Sequence, residues 1–385
     1  MSTDRFDRSR FVDQAIELAG EDDFGEDTWQ EGLDVLLDSL RSEARLNDIG
    51  VEIAATDVSG YLGNRLAINA WRRDHPEVAK GTIEQPIVIV GQPRTGTTIL
   101  HDLLAQDPLL RAPLTWEVDR PVPAPETATF ETDPRIGEVQ ANLDMVDAVL
   151  PGFTDFHPMG AQLAQECVRM TAGDFRSMIF PTQYRVRSYN RWLLDQADMA
   201  PAYRWHRRFL QHLESRHPAG QWLLKSPAHL WSLDALATEY PDAIVVQTHR
   251  DPLKVVASVS ALVTHLRAMA SDETSIEETA RDYADDIFLG LDRGMDARDR
   301  NVLAPEQFVD VHFATFVANP LDMIGDLYGR LDRELTPETE ARMRRFITEH
   351  PGDGGGRCDH RAWRDPGHDE WLDAVSPPGP APRRP

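Results

Sequence analysis

Apolar residues recur at helical spacing through the first 80 positions, as Phe11, Ala15 and Leu18 and then as Leu33, Leu36, Leu37 and Leu40, with Asp and Glu between them. Residues three and four apart share one side of a helix, so the stretch predicts amphipathic helices with an acidic outer face. The pattern changes after Asp74-His75-Pro76 and Gly81, where Pro86-Ile-Val-Ile-Val90 forms a short β-branched run. A run with no polar alternation predicts a strand covered on both faces. Trp222 to Lys225 and Ala243 to Thr248 repeat it, and helical patterns are read over 163–216, 228–238, 252–267, 276–292, 319–332 and 337–348. Strand followed by helix, several times over, implies an α/β fold with a parallel sheet covered by helices.

Pro113, Pro121, Pro123, Pro125 and Pro134 crowd one stretch, which is therefore expected to be an irregular surface loop long enough to carry function. The chain divides into a helical N-terminal extension (1–80), an α/β domain (81–350) and a Gly- and Pro-rich C-terminal segment (351–385). That last segment holds Gly352-Asp-Gly-Gly-Gly356 and the Pro-rich end from Ser376, and is expected to be partly flexible. There is no internal repeat.

The 385 residues carry 40 Lys plus Arg against 64 Asp plus Glu, a formal charge of −24 spread along the sequence. A general nucleic-acid binder needs a basic excess to neutralise phosphates, so that class is set aside, while a local basic pocket is not. Cys167 and Cys358 are the only cysteines, so a disulfide framework and a Cys-x-x-Cys pair are both excluded. The N-terminus has no basic segment leading into an apolar run, and no apolar stretch approaches membrane-spanning length. A soluble protein of a reducing, cytoplasmic compartment is expected, without an integral membrane segment. Homo-oligomerisation is left open. The 13 histidines form no His-Glu-x-x-His or comparable cluster, so no metal is called for.

The sharpest chemical signal is Gly91-Gln-Pro-Arg-Thr-Gly-Thr-Thr98, between the strand ending at Val90 and a helix beginning near Ile99. A glycine turn there aims backbone N–H groups inward, the helix N-terminus adds partial positive charge, and threonine hydroxyls add donors. Together these make a phosphate cradle, against the plainer alternative of an ordinary βα turn. A triphosphatase loop reads Gly-x4-Gly-Lys-Ser/Thr, whereas here Thr97 replaces the lysine that reaches the β and γ phosphates. The cation is Arg94 instead, ahead of the second glycine, and the cradle suits a phosphate ligand other than magnesium ATP.

A second strand-to-helix junction, Val245-Val-Gln-Thr-His-Arg250-Asp-Pro, places Arg250 at a strand end with Ser258 eight residues on. The two can grip one phosphate if the arginine reaches along the helix. His249-Arg250-Asp251 imitates a kinase catalytic loop, but Val256 stands where the asparagine belongs and no Gly-x-Gly-x-x-Gly precedes it.

These segments resemble the sulfotransferases that use 3′-phosphoadenosine 5′-phosphosulfate (PAPS). Pro93-Arg-Thr-Gly-Thr-Thr98 is similar to the family's 5′-phosphosulfate loop, Arg250 and Ser258 match its 3′-phosphate pair, and Leu224-Lys225-Ser-Pro-Ala-His-Leu230 resembles the segment bearing its catalytic lysine. The resemblance spans about 90 to 332 and implies a P-loop-type three-layer α/β domain with a parallel central sheet. It also implies sulfuryl transfer from PAPS to an acceptor hydroxyl of a small molecule, lipid or sugar, with no metal. The cofactor residues it implies are Arg94, Thr95, Gly96, Thr97, Thr98, Arg250, Ser258 and Arg357. Arg94 in place of lysine makes the chain similar to the bacterial and tyrosylprotein branches, and in the tyrosylprotein branch a glutamate about twenty residues after the loop acts as base.

Glu117 is the nearest match to that glutamate, and His229, two residues late for the cytosolic branch's histidine, is the rival. The catalytic set is therefore Glu117, Lys225, Arg94 and His229. Trp116, Phe130, Phe153 and Phe156 could wall an acceptor pocket or be ordinary core. His157 and Glu166 could line it or be ordinary polar residues. The competing functions are a phosphotransferase or nucleotide hydrolase built on the same cradle, and a non-catalytic phosphate-binding protein.

Overall fold

The β-branched run ahead of the first glycine forms β1 (Ile87–Gly91), the middle strand of a parallel sheet. In this computed structural model, which describes residues 5–149 and 160–350, the other strands are β2 (Leu110–Arg111), β3 (Gln221–Lys225), β4 (Ile244–His249) and β5 (Phe308–His312). Their order is β2-β3-β1-β4-β5, all pairings parallel, with Ile87 beside Leu223 on one side and Ile244 on the other. Because β3 and β4 flank β1, their C-terminal residues Lys225 and His249 come to the same sheet edge as Gly91. That edge, where the chain order switches sides, is where open α/β sheets bind ligands.

Helices α1 (Arg8–Ala19), α2 (Trp29–Ser42) and α3 (Asp48–Asp74) precede the sheet. After β1 comes α4 (Thr97–Leu104), and after β2 come α5 (Thr115–Asp119) and α6 (Pro134–Val149). Among the described residues, four helices lead to β3: α7 (Cys167–Thr171), α8 (Ile179–Gln183), α9 (Arg187–Asp195) and α10 (Ala200–Glu214). Helix α11 (Leu233–Glu239) precedes β4, which α12 (Pro252–Ala268) and α13 (Ile276–Asp299) follow. Beyond β5 lie α14 (Phe313–Ala318), α15 (Pro320–Arg330) and α16 (Pro337–Glu349). Among the described residues, no helix is long and apolar enough to cross a membrane.

Alternation along β1 explains why it reads as an unbroken apolar run. Ile87 and Ile89 pack with Leu100, Leu103 and Leu104 of α4 and with Ile324 and Leu327 of α15. Val88 and Val90 face the other way, onto Phe209 and Leu213 of α10, Leu236 of α11 and Ile287 of α13. Both faces are covered, so neither register position tolerates a polar side chain.

The first three helices form as expected, and local chemistry sets their ends. Asp7 accepts from Ser9 N at 2.8 Å to start α1, Gly20 ends it at φ +66°, and Asn47 accepts from Gly50 N at 2.8 Å to start α3. Their apolar cluster takes in Phe175, Phe180, Tyr189 and Trp192 from beyond β2. Arg65 of α3 stitches the two parts, donating to Phe24 O, Glu26 O, Gly173 O and Asp174.

Two expectations are corrected, and two strands were not foreseen. The helical reading of 163–216 resolves into the four helices α7 to α10, because Phe175 turns left-handed at φ +52° and extended residues such as Tyr184 separate the segments. The stretch 113–134 is not all surface loop, since Thr115–Asp119, with Thr115 to Val118 buried, forms a helix between Pro113 and Pro121. Strands β2 and β5 had no sequence signal strong enough to read. The first is two residues long, and Asp310 interrupts the apolar character of the second. The segment 351–385 lies outside the described residues.

Candidate active site

The turn after β1 needs glycine twice. At Gly91 φ is +141°, and a Cβ there would stand 2.2 Å from Thr248 Oγ1 on β4. At Gly96 φ is +87°, immediately before α4. Arg94 between them is also left-handed, at φ +65°, an uncommon state for a residue with a Cβ and one that marks a constrained loop. Thr95 is turned inward, its hydroxyl bonded to Gln92 O and paired with Thr248 Oγ1 at 2.6 Å, so it braces the turn from below. Thr97 and Thr98 open α4, where the first-turn N–H groups lack helical partners, an arrangement that can receive an anion.

Arg94, Ser258 and Arg250 come together across three elements. Arg94 Nε donates to Ser258 Oγ on α12 at 3.1 Å, and Arg250 Nη1 donates to Arg94 O at 2.6 Å. Helix α12 is started by Asp251, which accepts from Leu253 N at 3.0 Å, with Pro252 supplying the fixed φ of a first helical residue. Ser258 thus meets Arg94 directly, and Arg250 joins the pair through the loop backbone.

Lys225 ends β3 beside Ile89, and Ser226 N donates to Ile89 O at 3.2 Å. Lys225 is buried at 1 % exposure, and its ammonium donates to Thr98 Oγ1 at 3.2 Å and to Glu166 Oε1. Glu166 precedes α7 and its side chain is one-fifth exposed. A lysine, a carboxylate and the phosphate loop are therefore in contact at the sheet edge.

Glu117 is not brought to that group. It is wholly buried in α5, with Oε1 accepting from Leu114 N and Oε2 from Arg111, each at 2.8 Å. Burial raises its carboxyl above the ordinary range, and the Arg111 guanidinium and Leu114 N–H oppose that rise. Arg111 also donates to Leu213 O and His217 O and lies over the Trp222 ring at 4.6 Å, so the pair ties α5 to the end of α10. His229 lies in the short turn after Lys225, buried, with Nδ1 2.7 Å from Tyr203 OH and Nε2 without a partner among the described residues. Burial, and then neighbouring His206, hold its ring well below the ordinary imidazole range. Trp116 and Phe130 pack on each other at 5.4 Å within a small apolar cluster, while Phe153, Phe156, His157 and Arg357 lie outside the described residues.

Sequence reasoning left Glu166 between lining the acceptor site and being an ordinary polar residue, because nothing in Gln165-Glu-Cys ties it to a lysine 59 positions away. It could not see Phe313 either, whose ring lies 4.3 Å from the Arg250 guanidinium, because that residue follows the unread strand β5.

Comparison with known proteins decides the class. The sequence model of the Sulfotransferase family matches residues 86–337, from the start of β1 into α16. The chain belongs to the sulfotransferase family. The sulfotransferase STF1 of Mycobacterium tuberculosis H37Rv is 34% identical and superposes with a TM-score of 0.81, covering 88% of this chain and 92% of that one. STF9 of Mycobacterium avium is 30% identical, also with a TM-score of 0.81, over 96% of each chain. The omega-hydroxy-beta-dihydromenaquinone-9 sulfotransferases Stf3 of Mycobacterium tuberculosis and Mycobacterium bovis are 25% identical over 277 residues, covering 69% of this chain and 68% of theirs. The three-layer α/β fold and the sulfuryl-transfer class stand on these matches. A phosphotransferase is disfavoured on the same grounds, in keeping with a sulfotransferase loop that carries Thr97 where a triphosphatase needs lysine.

Proposed function

We propose that this sulfotransferase takes its sulfuryl group from PAPS and passes it to the hydroxyl of a small-molecule acceptor, with Glu166 receiving the hydroxyl proton. The observation that carries the reading is the convergence of Arg94, Ser258 and Arg250 beside a loop whose positive-φ glycines leave no room for a side chain at Gly91 and little at Gly96. The donor set fits a ligand with two separated anionic ends. The loop N–H groups, Thr97, Thr98 and Lys225 suit a 5′-phosphosulfate, and Arg250 with Ser258 suits a 3′-phosphate.

PAPS supplies, when bound, a sulfuryl group whose departure leaves adenosine 3′,5′-bisphosphate. Glu166 takes the proton of the acceptor hydroxyl as that oxygen bonds to sulfur. Lys225 and the loop amides stabilise the charge that collects on the 5′-phosphate oxygen as its bond to sulfur breaks. Lys225 donates to Glu166 Oε1 beforehand and so holds that carboxylate beside the loop. Glu166 is favoured over Glu117 because its contact is with Lys225, whereas both Glu117 oxygens are committed to Arg111 and Leu114.

The acceptor of the Stf3 relatives is an omega-hydroxy-dihydromenaquinone by name, and a terminal hydroxyl on an apolar chain is the first class to try. The test is incubation with sulfur-labelled PAPS and a panel of long-chain alcohols, phenols and sugars. Label should move to a hydroxyl-bearing member in the absence of metal. No transfer and no release of adenosine 3′,5′-bisphosphate would overturn the donor assignment.

A further inference from the structure

Phe313 opens α14 directly after β5 and is half-buried at the edge of the phosphate loop. Phe316, on the next position of the same helical face, is buried in the core with Leu100, Ile324 and Leu327, a cluster that does not include Phe313. The Phe313 ring has two neighbours of a different kind. The Arg250 guanidinium carbon lies 4.3 Å from its centroid, and a Cβ built on Gly96 would come within 3.1 Å of its Cδ2. One ring therefore touches the arginine assigned to one end of the donor and the glycine that shapes the loop for the other.

We infer that Phe313 is a positioning residue that sets the preference for a nucleotide bearing a 3′-phosphate, by holding the Arg250 guanidinium against the phosphate loop. An arginine side chain has many rotamers and loses much of its electrostatic advantage if it must be ordered when the ligand arrives. Here the guanidinium is fixed from two directions before any ligand binds. The Arg94 carbonyl accepts one of its N–H groups at 2.6 Å, and the Phe313 ring takes up one face through the attraction of a cation to an aromatic quadrupole. The same ring limits how far the loop can move at Gly96, which links the two anion-binding halves mechanically.

The inference rests on Arg250 being the 3′-phosphate ligand, and the experiment separates the two claims. Adenosine 3′,5′-bisphosphate and adenosine 5′-monophosphate are titrated calorimetrically into the wild type, Phe313→Met, Phe313→Tyr, Arg250→Ala and the Arg250→Ala/Phe313→Met double variant. The wild type should bind the bisphosphate at least tenfold more tightly than the monophosphate. Phe313→Met, similar in volume but without the ring, should reduce that ratio roughly threefold to tenfold and leave monophosphate affinity nearly unchanged. Phe313→Tyr should restore the ratio. In the Arg250→Ala background, adding Phe313→Met should change the ratio no further.

A wild type that does not distinguish the two nucleotides would overturn the Arg250 assignment itself. A discriminating wild type whose ratio survives Phe313→Met would overturn the role of Phe313. Equal weakening of both nucleotides by Phe313→Met would also overturn it, since the ring would then only pack the loop.

Discussion

Lys225 and Glu166, 59 residues apart in sequence, meet as a buried ammonium and a partly exposed carboxylate beside Thr98 of the phosphate loop. The strand end fixes the lysine, because Ile89 and Lys225 are register partners. The start of α7 fixes the carboxylate. On the proposed mechanism, two roles with opposite charge demands, leaving-group stabilisation and proton acceptance, fall within that one contact.

Glu166→Gln keeps the shape and removes the proton acceptor, so kcat should fall by a factor on the order of 10²–10⁴ while calorimetric affinity for adenosine 3′,5′-bisphosphate is retained. Glu117→Gln should behave in the opposite way. It leaves the buried Arg111 guanidinium short of its charged partner and should cost about 1–3 kcal/mol of stability, with kcat of the folded fraction near that of the wild type. Urea denaturation read beside the kinetics separates the two, and a folded but dead Glu117→Gln would return the base to α5.

Gly91→Ala should fail structurally rather than chemically. Its added methyl would meet Thr248 Oγ1 at 2.2 Å in a backbone conformation that alanine rarely adopts. Loss of both thermal stability and nucleotide binding is expected, measured by calorimetry and thermal melting. An Ala variant with native melting temperature and native affinity would show that the turn is not the cradle.

Transfer should proceed undiminished in EDTA. A triphosphate needs a divalent ion because its terminal oxygens crowd charge together, and Arg94, Lys225 and the loop amides can neutralise a smaller anion directly. Turnover that vanishes with chelator and returns with magnesium would contradict this.

Acid should destabilise the fold well above the carboxylate range. Burial lowers His101 and His206 to about 3 each, with Lys225 adding to the effect at His101. Unfolded histidine titrates near 6.5, so below that pH the unfolded chain binds protons that the folded one refuses. Stability from each ring is complete above the unfolded value and declines as pH falls toward 3, by ~1.4 kcal/mol per pH unit per ring. His206→Gln should reduce the slope of unfolding free energy between pH 6 and 4.5 by about one proton. An unchanged slope would mean that His206 is protonated in the folded state.

The sequence disclosed what is local and strongly patterned. Gly91 to Thr98 could be read because a strand, two glycines and a helix start follow one another in eight residues, and Arg250 with Ser258 because one helix joins them. The parallel sheet was legible through β1, β3 and β4, whose two covered faces leave short, mainly apolar runs with polar residues gathered near the strand ends. Pairings between distant segments were not legible. Nothing local marks Glu166 as the partner of Lys225, and Glu117 could be matched to the family's glutamate base because Arg111, which takes up its carboxylate, lies on the two-residue strand β2 that the sequence did not disclose. Phe313 was hidden for the same reason, since its meaning depends on Arg250 arriving from the neighbouring strand.

The most direct test offers the enzyme sulfur-labelled PAPS and γ-phosphate-labelled ATP in parallel, with the alcohol and phenol panel, in EDTA and again in magnesium. The expected result is labelled sulfate ester from PAPS in both buffers, matched mole for mole by adenosine 3′,5′-bisphosphate, and no transfer from ATP. Phosphate transfer from ATP that requires magnesium, with PAPS left intact, would contradict it.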